Sequence, residues 1–146
     1  MTRPKVKKRL QSPTMYQFPY VRFHGKYYPL IPLTLNRESR TVNTFALLDS
    51  GASISVFRPE IAEALGIKPG KKAGVRLGTA TGGLDIGVSR IKVEIGQTAF
   101  NANVGFSREY AASFNIIGRE SFFRQFSICF NEISRTVLMV PLEDLP

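Results

Sequence analysis

A chain of 146 residues is long enough for one domain with a real core and too short for two comfortable ones. Its hydrophobic fraction, 43%, is ordinary for a globular protein, and no apolar run approaches the roughly 18 residues of a membrane-spanning helix. The single cysteine, Cys129, excludes an intrachain disulfide scaffold and points to a reducing, cytoplasmic setting.

The formal charge of +9 is crowded at the start, where Arg3, Lys5, Lys7, Lys8 and Arg9 come well before the first acid, Glu38. Residues 1–14 therefore read as a solvated basic arm and residues 15–146 as the folded domain. Such an arm offers a weak contact to nucleic acid or another anionic surface, but it lacks the interleaved aromatics of a base-stacking platform. It also lacks the apolar core of a secretory signal, and Pro4 spoils an amphipathic transit helix.

In "FHGKYYPLIPLTLN", Ile31, Leu33 and Leu35 alternate, which predicts a half-buried strand whose start Pro29 and Pro32 push to a sheet edge. "TFALL" is a short continuous apolar run, as expected of a strand covered on both faces, and Asp49 stands at its end. "RPEIAEALGI" predicts a short helix: Pro59 suits the first position, Glu60 and Glu63 lie toward the positive end of the dipole, and Gly66 fits past the last turn.

Gly78, Gly82, Gly83 and Gly87 then interrupt strand-like sequence, which predicts a mobile hairpin. A second hairpin follows, with Ile91, Val93 and Ile95 alternating before a turn near Gly96 and Gln97, and Phe100, Ala102 and Val104 alternating after it. "FNIIGRESFFRQFSICFN" carries an apolar run into Gly118 and a short helical stretch. It leaves through Phe126, Ile128 and Phe130 to a turn and the strand "TVLMV". Phe122 and Phe123 read as core. "FALLDSGASISVF" and "FNIIGRESFF" echo one another, each running from Phe through apolar residues into a turn, and only the first carries an acid. The chain is mostly β.

An unpaired buried carboxylate is costly, so an acid at the end of an apolar strand needs a reason. A turn role suits Asp-Ser-Gly alone, and Asp85, in the glycine-rich hairpin, reads as a solvated residue there. His24 is the only histidine, and "DSGASIS" does not fit the Gly-x-Ser-x-Gly elbow of a serine hydrolase. One histidine and one cysteine give too few ligands for a zinc site.

"LLDSGAS" (Leu47 to Ser53), the later "NIIGRE" and the glycine-bearing hairpin between them occur in an order that resembles the retropepsin-like aspartic proteases, over roughly residues 20 to 140. The resemblance implies a closed β-barrel or sandwich with one or two short helices, active as a symmetric homodimer on peptide substrates without metal or organic cofactor. Asp49 would be the catalytic acid and Ser50, Gly51 and Ala52 its supporting loop. Thr79, Ala80, Thr81, Gly82 and Gly83 would form the substrate-binding flap, and Ile117, Gly118 and Arg119 the structural Gly-Arg element. The hydroxyl of Ser50 would help tie the two active-site loops together across the dimer.

Two departures qualify the resemblance. Ser53 stands where retroviral members have an acid that pairs with the Gly-Arg arginine, leaving Arg119 without an evident partner. "RTVLMVPLEDLP" runs past the end of the retroviral domain, so the interleaved terminal strands of those dimers do not carry over. The competing reading keeps the fold without the chemistry, as a dimeric binding module that holds polyanions through the basic arm.

Overall fold

The computed structural model describes residues 14–68, 75–79 and 82–144. All of the predicted arm except Thr14 lies outside them, as do Ala80 and Thr81 of the predicted flap. Strand β1 is Tyr16–Pro19, β2 Val21–Phe23, β3 Lys26–Tyr28, β4 Leu30–Arg37, β5 Arg40–Leu48 and β6 Val56–Phe57. Helix α1 is Pro59–Ala64. It is followed by β7 Val75–Thr79, β8 Gly82–Ile95, β9 Thr98–Phe106, β10 Asn115–Ile117, β11 Phe126–Asn131 and β12 Thr136–Pro141, and Leu142–Asp144 form a closing 3-10 turn.

The main sheet runs in the order β4-β5-β10-β6-β9-β8-β7, and β4 also pairs with β8, closing six of these strands into a barrel. Period-two patterning explains its filling: Ile31, Leu33 and Leu35, then Ile91, Val93 and Ile95, then Ala102 and Val104 are all buried in one core with Leu48, Phe57 and Ile117. The prolines act as the sequence suggests. β5 accompanies β4 along its whole length, whereas β8 joins only at Thr34–Asn36, so Pro32 lies where one neighbour suffices. Pro59 opens α1, and Gly66, at φ +70, leaves it through a left-handed conformation.

The two echoing segments are neighbours. β10 lies parallel to β5 with Asn115, Ile116 and Ile117 opposite Ala46, Leu47 and Leu48, the register in which "FALL" and "FNII" align as sequence. A separate sheet, β1-β12-β11, joins the two ends of the described chain: Tyr16 to Pro19 pair with Met139 to Thr136 of the same chain. The terminal strands thus satisfy one another internally.

Two local features depart from the sequence reading. The stretch after Gly118 is not a regular helix, because Glu120 is extended and Ser121 has φ +66. Tertiary hydrogen bonds claim its polar groups: the Glu120 N–H donates to Ser53 O (3.0 Å), and Ser121 Oγ accepts from the Asn103 N–H (3.0 Å). Before β4 the chain also folds a small hairpin, β2–β3, turning at His24 and Gly25, both at positive φ.

Candidate active site

Asp49 stands at the end of β5 with strand geometry still in force. The Leu48 N–H donates to Pro29 O on one side (3.1 Å) and the Asp49 N–H to Ile117 O on the other (3.0 Å). Ala46 and Leu48 point into the core, so the Asp49 side chain shares the outer face with Phe45 and Leu47. It is half-buried there. The apolar run before it does not hide the acid but anchors the strand that aims it.

The loop beyond is shaped around the carboxylate. The Gly51 N–H donates to Asp49 Oδ1 (2.9 Å), and the Ala52 N–H donates to Asp49 O (3.2 Å). A β-carbon at Gly51 would sit 3.2 Å from the same Oδ1, tighter than ordinary contact, so a side chain there would push the carboxylate by a few tenths of an ångström. Ser50 is exposed, and its hydroxyl has no hydrogen-bond partner among the described residues.

The Gly-Arg element lies against the back of this loop. The Arg119 N–H donates to Ala52 O (2.9 Å), and Gly118 passes so close that a β-carbon would collide with the carbonyl of Ile54 and stand 2.9 Å from Ala52 O. The buried Ser55 Oγ accepts from the Gly118 N–H (2.9 Å), while Ser55 O accepts from the Gly105 N–H (2.8 Å). The loop is therefore clamped from β9 and β10 at once. The Arg119 side chain is exposed and makes no hydrogen bond or ion pair among the described residues, consistent with Ser53 occupying the position of the missing acid.

Sequence reasoning missed Ser55, Asn115, Arg58 and Tyr110. Asn115 is buried and knits the strands: its Oδ1 accepts from the Arg58 N–H (2.8 Å), and its Nδ2 donates to Phe45 O (2.9 Å) and Thr44 Oγ1 (3.2 Å). A lone polar residue inside an apolar run, as in "FNII" and "SISVF", was the available signal. The Tyr110 hydroxyl donates to Phe114 O (2.7 Å). Burial pushes the Tyr110 phenol above its ordinary range; the Arg58 charge pulls it down and the Asp49 charge raises it further. Tyr110 thus lies within electrostatic reach of the acid.

β7 and β8 form the predicted hairpin, with Thr79 opposite Gly82 and Gly78 opposite Gly83. Ile86 from β8 packs into the space left by the missing side chain of Gly105, beside Val56, and both are buried. Asp85 is exposed on the same strand. Among the described residues no three His, Cys, Asp or Glu side chains gather as metal ligands, and no helix is long and apolar enough to cross a membrane.

A six-strand barrel in which an Asp-Ser-Gly-Ala loop is backed by an Ile-Ile-Gly-Arg strand has the architecture of a retropepsin-like aspartic protease. The family model described as aspartyl protease matches residues 31–120, more than half of the chain, and the chain belongs to that family. Among solved structures it is similar to a retropepsin-like aspartic protease from Rickettsia conorii, at 20% identity and a TM-score of 0.65, over 84% of this chain and 98% of that one. It is also similar to the EIAV protease complexed with an inhibitor, at 19% identity and a TM-score of 0.52, over 68% of this chain and 88% of the viral chain. No curated protein sequence matches.

Proposed function

We propose that the protein is an aspartic endopeptidase whose active site is completed by a second copy of the chain, each contributing Asp49. The observation that carries this reading is the clamped loop, which holds one half-buried carboxylate at a strand end and supplies no second acid beside it: the residue that follows the matching strand β10 is Gly118. Two carboxylates brought together cannot both ionise freely and share one proton. The ionised one takes a proton from a water, whose oxygen attacks the peptide carbonyl. The protonated one polarises that carbonyl, and the leaving nitrogen gains a proton as the C–N bond breaks. The exposed hydroxyl of Ser50 and the exposed Arg119 side chain, unpaired among the described residues, supply polar contacts for the partner's loop or a bound peptide.

Mixing tests the shared site. Asp49→Asn keeps the shape of the side chain and removes the base, so activity on a peptide library should fall by at least about a hundred-fold. When excess Asp49→Asn chains are exchanged into wild type, activity should follow the fraction of wild-type dimers. Activity that stays proportional to wild-type chains after exchange verified by mass would show that each chain has a complete site. Binding of peptides by wild type with no turnover would instead favour the binding module.

A further inference from the structure

We infer that the cavity between β5, the start of α1 and the Ser113–Asn115 segment binds a bulky uncharged apolar side chain of the peptide substrate, several residues from the bond that is cut. This rests on the protease reading above. The cavity, about 390 Å³, is lined by the apolar Leu30, Phe45, Ile61 and Phe114, the charged Arg58 and Glu60 and three smaller polar residues. That volume lies in the lower part of the range of about 300–1,000 Å³ for ligand pockets.

Its position follows from strand geometry. Phe45, Leu47 and Asp49 share the outer face of β5, Leu30 and Ile116 flank Leu47, and Phe114 immediately precedes β10. At roughly 3.3 Å per residue, Phe45 stands about 13 Å from Asp49 along the strand, the span of about four residues of an extended peptide. The acid and one wall of the cavity thus share a face of β5.

The walls are already held in place. Phe114 is fixed by the Tyr110 hydroxyl at its carbonyl and by the rings of Phe23 and Tyr28, whose centroids lie 4.9 and 5.0 Å away. Arg58 bridges the two sides, donating to Ser113 O (3.2 Å) and pairing with Glu60 (3.3 Å). Phe45 remains 52% exposed, a large apolar surface on the flank of the barrel. A side chain entering here meets four apolar residues and a charged pair that neutralises itself, so Phe or Leu is favoured over Asp or Lys, with little ordering required of the protein.

The test uses ten-residue peptides that share one scissile bond and carry Phe, Ala or Lys at the third, fourth or fifth residue on either side of it. Cleavage gives kcat/KM, and fluorescence anisotropy gives binding to the Asp49→Asn chain. Wild type should prefer Phe to Ala at one of these positions by about ten-fold or more, the gain from burying such a side chain. Phe45→Asp should erase that preference and raise the Lys peptide relative to the Phe peptide. Cleavage by wild type with no preference at any of these positions, or a preference indifferent to Phe45→Asp, overturns the pocket and leaves the protease reading intact. A binding preference without cleavage overturns the protease reading and supports the pocket, and failure of both readouts overturns both.

Discussion

β5 and β10 lie side by side in parallel register, each running from a phenylalanine through three residues of strand, and they end differently. β5 delivers Asp49 to a half-buried position with a backbone N–H at its carboxylate, whereas β10 delivers Gly118 to a backbone crossing with no room for a side chain. The difference shows that the two strands divide the labour. One aims the acid and the other clamps the loop that carries it, so β10 brings no second acid beside Asp49.

The strongest way to break this comparison is at Gly118. Its φ is −97°, so a side chain meets no backbone penalty, and the whole cost is collision with Ile54 and Ala52. Gly118→Ala should destabilise the fold by about 3 kcal/mol or more, the upper part of the overpacking range, read as a fall in the denaturation midpoint. A wild-type midpoint would show that the crossing is looser than described and that glycine is not required there.

A smaller effect is expected from the clamp's hydrogen bond. Ser55→Ala leaves the buried Gly118 N–H without its acceptor and should cost about 1–3 kcal/mol. Because the bond backs the loop and not the acid's own N–H contact, the loss of stability should exceed the loss of activity at temperatures where the variant is folded. Activity falling with unchanged stability would move Ser55 from support of the loop to the chemistry.

The smallest effect sharpens the electrostatic side of the comparison. The Tyr110 phenol lies above its ordinary value of 10.0, first through burial and last through the Asp49 charge. A raised folded pKa means that the native state retains the proton longer than the unfolded chain. The associated stability is therefore complete below about pH 10, the unfolded value, and is lost as pH rises through the folded value. Asp49→Asn removes one raising charge and should move the Tyr110 titration downward, by less than burial moves it upward, as followed by tyrosinate absorbance against a Tyr110→Phe control. An unmoved titration would place Tyr110 outside the reach of the acid.

Alternation in the sequence determined most of the barrel. Ile31, Leu33 and Leu35, and Ile91, Val93 and Ile95, could be assigned to its interior because period-two patterning is a property of the chain alone. Pro59 and Gly66 bounded α1 for equally local reasons, and the ordered "LLDSGAS" and "NIIGRE" segments located Asp49 and Gly118. What only the tertiary structure decided depends on long-range pairing: the parallel register of β5 and β10, the capture of Glu120 and Ser121 from helix into irregular turn, and the buried bonds of Ser55 and Asn115. It also decided that β1 pairs with the chain's own β12, and that Phe45 and Phe114, far apart in sequence, wall one cavity. A local pattern fixes which face a side chain takes, but the partner across that face is set by closure of the barrel, and no short stretch of sequence records it.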